Sequence, residues 1–233
     1  MNNQNTYSVD VPVIELDDKS RGRFIARTYN HLFAAICAFT LIEIGLFQSG
    51  MAEPIAKAIL GHSWMIVLIG FMALSWFARS VVHKTESKAS QYAALAAYVV
   101  GWSIMFVPLL FIANKYAPGV IASAAIITFL AFTALTLVVF ITRKDFSFLR
   151  GILMWGGILA LVTIFGGAIF GFQLGTFFSV AMVGLAGAAI LYDTSNVLHH
   201  YPEDRYVAAS LELFASVALM LWYVIQLLMS SRR

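Results

Sequence analysis

The sequence predicts an all-α membrane protein, a seven-transmembrane-helix bundle with its N-terminus cytoplasmic and its C-terminus outside. Three observations carry this expectation. Of 233 residues, 61% are hydrophobic and 12% charged, and the mean hydropathy is +0.83; a soluble domain is about half apolar and a quarter charged. Seven apolar runs each approach the roughly 20 residues that a helix needs to cross hydrocarbon. Lysine and arginine gather in alternate connections between those runs.

With the N-terminus inside, the inner side holds Lys19, Arg21, Arg23, Arg27, Arg79, Lys84, Lys88, Arg143, Lys144, Arg150 and Arg205. The outer side holds Lys57, Lys115, Arg232 and Arg233, and 11 against 4 sets the orientation. The net charge of +3 follows from the same bias. It points to no nucleic-acid partner, which would need a basic face on a soluble surface. The single cysteine, Cys37, lies inside an apolar run, so no internal disulfide forms and it reads as a small buried hydrophobe.

The runs fall near Tyr29–Phe47, Trp64–Val82, Tyr92–Ala113, Gly119–Ile141, Leu149–Phe172, Leu174–Tyr192 and Tyr206–Met229. None alternates as a barrel strand does, and backbone groups in hydrocarbon must be satisfied internally, so each is a helix. The short connections leave no room for a soluble catalytic domain. We divide the chain into a polar cytoplasmic tail, residues 1–23, and a seven-helix domain, residues 24–233. The tail carries Asp10, Glu15, Asp17 and Asp18 beside its basic residues, which is not the pattern of a cleaved signal peptide. It reads as mobile, with Asp17, Asp18, Arg21 and Arg23 a solvated mixture of charges.

The first run opens with aromatic rings, the snorkelling Arg27 and a lone histidine, His31, as an interfacial anchor does. Glu43 sits among Leu41, Ile42 and Ile44, where an ionised carboxylate costs at least ~2.5 kcal/mol unless paired. It is therefore expected to be paired or protonated, or to reach the outer interface. Arg79, near the inner end of the second run, is always charged and either snorkels outward or pairs inward. Pro108 is expected to kink the third run. Asp145 or Ser147 is placed to cap the fifth, and Gly167 and Gly171 form a small-xxx-small pair that favours close helix packing.

The sixth run ends at Leu191-Tyr192-Asp193-Thr194. Asp193 lies where a helix C-terminus already carries partial negative charge. Either it marks where the chain reaches water, with Thr194, Ser195 and Asn196 capping a following turn, or its carboxylate faces the bundle interior and handles a cation or proton. Glu212 falls at a similar depth on the seventh run, so the two carboxylates could share a proton or a cation. The loop residues His199, His200, Glu203 and Asp204 match no tetrahedral zinc spacing.

These features together resemble the Bax inhibitor family, the transmembrane Bax-inhibitor-motif proteins, over residues 24–229. The resemblance rests on Trp76-Phe77-Ala78-Arg79 ending the second run, Lys144-Asp145-Phe146-Ser147-Phe148-Leu149 leading into the fifth, and Ile190-Leu191-Tyr192-Asp193-Thr194 ending the sixth. It implies a pH-sensitive cation leak, for calcium in particular, in which an aspartate pair on the last two helices is contacted by an arginine late in the second. Asp193 corresponds to the first aspartate and Arg79 to the arginine. The second aspartate falls at Phe214, Ala215 or Ser216, none of them acidic, and Glu212, one turn before Ala215 or Ser216, is the candidate substitute.

The expected ion site is thus Asp193 with Glu212, with Arg79 and Glu43 as charge-pairing or gating residues. No cofactor is expected, calcium entering only as a transported ion. Some bacterial relatives lack the second acid and modulate a membrane-bound AAA protease, so a non-conducting modulator is the alternative. No intramembrane nucleophile, His-Glu-x-x-His or paired intramembrane aspartates argue for an enzyme. The bilayer is then the chain's first partner, a protease a second, and the expected location is the bacterial inner membrane.

Overall fold

The computed structural model describes residues 11–61 and 64–231; the first ten residues of the tail, and Arg232 and Arg233, lie outside it. Among the described residues eight α-helices form: α1 (Asp18–Gln48), α2 (Ala52–Gly61), α3 (Trp64–Lys84), α4 (Lys88–Tyr116), α5 (Val120–Thr142), α6 (Leu149–Phe170), α7 (Thr176–His199) and α8 (Tyr206–Ser230). Seven of them, all but α2, are long and apolar enough to cross a membrane. No β-strand occurs among the described residues, only an isolated bridge between Pro12 and Pro202. Helix α2 was not expected. It is ten residues long, and it buries Ala52 and Ala56 against Val107 of α4.

The bundle is built around α4 and α8, the most deeply buried spans. Helix α8 packs against α7, α1, α5 and α4, so most of the chain reports to it. Aromatic rings fill the centre: Phe39 of α1 meets Phe106 of α4 edge-on at 5.0 Å, and Phe106 meets Trp222 of α8 at 5.2 Å. Such contacts add to the burial of large apolar rings. Helix α1 contributes through a stripe at helical spacing, Phe24, Thr28, Leu32, Ala35, Phe39 and Glu43. Helix α6 is the opposite case. It packs chiefly on α7, and Trp155, Leu159, Val162, Ile169 and Phe170 face outward, as suits a lipid-facing span.

Several boundaries differ from the sequence reading. Helix α7 continues to His199, seven residues past Tyr192, so Asp193 lies within a helix and Thr194, Ser195 and Asn196 cap nothing. Polarity marks where a span leaves hydrocarbon, while the hydrogen-bonded helix runs on into water. Gly171 has φ +75° and ends α6, a left-handed C-cap position that favours glycine, and so it is no helix-packing residue. The close α6–α7 approach occurs at Gly156 instead, where a Cβ would fall 2.6 Å from Leu185. Neither Asp145 nor Ser147 caps α6, whose N-cap is Phe148.

The expected mobile tail is in part a docked strap. Val13 is fully buried, and its N–H donates to the Tyr201 carbonyl at 2.8 Å. Arg21 donates to the carbonyls of Val13, Ile14 and Leu16, at 3.3, 2.7 and 3.3 Å. Asp17 is the N-cap of α1, accepting from the N–H groups of Lys19 and Ser20, both at 3.1 Å. Hydrogen bonds from Ser20, chiefly, hold its carboxyl below the usual aspartate range. The residues read as a solvated charge mixture therefore build the start of the first helix.

Candidate functional site

A cavity of about 890 Å³ opens at the end of the bundle where α3, α5 and α7 finish and α4, α6 and α8 begin, the end rich in lysine and arginine. Three helices line it with the same spacing: Arg150, Leu153, Met154 and Gly157 from α6, Ala189, Tyr192, Asp193 and Asn196 from α7, and Glu212, Ala215, Ser216 and Leu219 from α8. Each set runs i, i+3, i+4, i+7, one face of a helix. Helix α3 adds Arg79 and His83, and α4 adds Tyr98 and Trp102. The Trp102 indole N–H is buried behind this wall with no hydrogen-bond partner among the described residues.

Asp193 and Glu212 line the same cavity but take different partners. The Ser216 hydroxyl donates to Asp193 Oδ2 at 2.5 Å. Glu212 accepts from the Arg79 guanidinium on Oε2, and His83 Nε2 lies 3.3 Å from Oε1. Arg79 thus pairs inward, onto a carboxylate whose side chain is 13% exposed. Removing one partner of such a half-buried ion pair costs more than breaking a surface pair, because it strands the other charge. Of the three positions where the second acid could fall, Ser216 is the one whose side chain bonds Asp193; Phe214 belongs to the aromatic core, 6.2 Å from Phe39.

Glu43 stands apart. It is 6% exposed in the C-terminal half of α1, and neither carboxyl oxygen has a partner among the described residues. It therefore neither reaches the interface nor makes the expected ion pair; the unpaired setting suits only the neutral acid, since a lone buried carboxylate is far costlier than a hydrogen-bonded one.

Two further contacts frame the cavity mouth. Tyr201, half-buried in the connection between α7 and α8, stacks on His83 at 6.1 Å and on Phe24 at 6.4 Å. Burial, chiefly, pushes its phenol pKa upward, and the Asp193 carboxylate adds to this. Asp145, in the loop before α6, accepts from the Ser147 N–H at 2.8 Å and faces His200 Nε2 at 3.0 Å. Its carboxyl lies below the usual aspartate range because these contacts outweigh its partial desolvation. The Phe146 N–H donates to Ser195 Oγ at 2.9 Å, so the loop is clamped to the end of α7.

Fold and site together define a polytopic seven-helix membrane protein with a carboxylate-bearing cavity at its basic end. The profile described as "Inhibitor of apoptosis-promoting Bax1" matches residues 21–233, and the chain belongs to the Bax inhibitor family. It is similar to Bax inhibitor 1 of Schizosaccharomyces pombe, 27% identical over 231 residues that cover 93% of this chain and 80% of that one. It is also similar to an Escherichia coli K12 protein, Modulator of FtsH protease YccA, 29% identical over 160 residues covering 66% and 68%. An uncharacterized Pseudomonas aeruginosa protein is 30% identical over 155 residues, covering 65% and 68%. The chain is an integral membrane protein of the bacterial inner membrane, as its Escherichia coli relative is named.

Proposed function

We propose that this protein is a pH-sensitive cation leak whose ion site is the Asp193 carboxylate. The observation that supports it best is the cavity itself: Asp193 lines a space open at the basic end, while the charge beside it, Glu212, is tied to Arg79. In this reading the Arg79–Glu212 pair, joining α3 to α8, holds the closed state. Asp193 is faced by Arg79 and His83 from α3, Tyr98 from α4, Arg150 from α6, Glu212 from α8, and His200 and Tyr201 from the following loop. Protonating Asp193 removes the charge that attracts a cation, and protonating His83 strengthens its hold on Glu212. Both effects make flux depend on pH.

The test is cation flux into liposomes holding the purified protein, titrated from pH 8 to pH 5, for wild type and Asp193→Asn. The expected result is a pH-dependent flux that Asp193→Asn flattens at unchanged expression. Flux that is equal and equally pH-dependent in both would remove Asp193 from the mechanism. Calcium is the ion that the family resemblance implies.

A second reading, a non-conducting modulator of a membrane-bound AAA protease, is favoured by the similarity to YccA, whose name is Modulator of FtsH protease. Removing residues 1–10 leaves the docked strap in place, so the truncation isolates the tail. Under this reading it abolishes co-purification with the protease and leaves flux untouched.

A further inference from the structure

The cavity holds two carboxylates but only one that is uncommitted. Glu212 is matched by Arg79, with His83 at 3.3 Å on its second oxygen. Asp193 is met at 2.5 Å by Ser216, a neutral hydroxyl, where a second acid would have doubled the charge. With the histidine neutral, the deep set of Asp193, Glu212 and Arg79 carries one net negative charge.

We propose that the Asp193 site takes monovalent cations, the proton included, in preference to calcium, and that Ser216 sets this preference. The proposal rests on reading the cavity as a cation site and names which cation it takes. A calcium ion is strongly hydrated and is held by about six to eight oxygen ligands, several of them carboxylates in tight sites. Asp193 has the neutral Ser216 hydroxyl as its side-chain partner, while the cavity's other carboxylate, Glu212, is held by Arg79. No three His, Cys, Asp or Glu side chains converge among the described residues. The single net negative charge of the deep set balances a monovalent ion but only half of a divalent one, and Arg150 at the mouth repels the divalent ion twice as strongly. A potassium or sodium ion surrenders less hydration, and a proton needs one carboxylate oxygen.

The test measures equilibrium binding of radioactive calcium to the full-length protein in detergent, for wild type and Ser216→Asp, each with and without Asp193→Asn. Fluxes of potassium, protons and calcium into liposomes are measured beside it. Wild type is expected to show no calcium binding that depends on Asp193, and potassium or proton flux at least about tenfold above calcium flux. Ser216→Asp is expected to gain Asp193-dependent calcium binding, tightened by about tenfold or more as ligand charge rises. Asp193-dependent calcium binding in wild type as tight as in Ser216→Asp, or calcium flux matching potassium flux, would overturn the proposal. The wild-type measurements decide this even where Ser216→Asp fails to fold. An absence of all flux with a gain of calcium binding in Ser216→Asp would remove the leak and leave the site's preference standing.

Discussion

Arg79 and Glu212 show what a single residue decides here. The guanidinium is half in water, its side chain 42% exposed, while the carboxylate it holds is 13% exposed. Arg79→Gln strands that carboxylate; removing one partner of a fully buried ion pair costs about 3–5 kcal/mol, and water at the half-exposed guanidinium side lowers the cost here. A second change, Glu212→Gln, returns part of the loss because the stranded charge is gone. Thermal unfolding of the single and double variants in detergent measures both, and an unchanged Arg79→Gln would mean that solvent already satisfies Glu212. Residue identity also limited what the sequence could disclose. Asp193 and Glu212 are conspicuous because charge in an apolar run is costly, whereas Ser216 is not. Serines inside these helices commonly bond back one turn, as Ser103 does to the Val99 carbonyl and Ser210 to the Tyr206 carbonyl. Only the packing of α8 on α7 separates Ser216 from them. Glu43 was legible by depth, but its lack of a partner depends on what α4 and α8 present to it.

At the scale of elements, the strap of residues 12–16 is tied through Tyr201 to the Arg79–Glu212 pair. Val13 holds the Tyr201 backbone, the Tyr201 ring stacks on His83, and His83 touches Glu212. Val13→Ala removes apolar area from a fully buried position and is expected to cost about 1–2 kcal/mol. Exchange of the Val13 amide hydrogen should quicken with it, and no quickening would show that the strap is held by Arg21 alone. The spans themselves were legible because bilayer length and apolarity leave few alternatives. Helix α2 was not, since ten residues containing Glu53, Pro54 and Lys57 fall short of a span and read as a loop. The strap was missed for a related reason: Val13, in the short apolar stretch Val11-Pro12-Val13-Ile14, docks on a loop nearly two hundred residues away.

For the whole molecule, the face on which the cavity opens follows from orientation, and orientation rests on charge. Positive residues resist translocation, so the end bearing Arg79, Lys88, Lys144 and Arg150 is expected to face the cytoplasm, which makes the cavity a cytoplasmic vestibule. Glu43, in the opposite half of α1, then lies on the periplasmic side of the aromatic layer formed by Phe39, Phe106 and Phe214, and that layer separates it from Asp193. Single cysteines placed by Lys57→Cys and Lys144→Cys, in a Cys37→Ala background, test the arrangement. Lys57 pairs with Glu53 on an exposed face of α2, and Lys144 lies in the exposed loop before α6, so both positions accept a reagent. A membrane-impermeant maleimide added to spheroplasts should label the cysteine at 57 at once and the one at 144 only after the membrane is opened. The reverse pattern would place the Asp193 cavity on the periplasmic face.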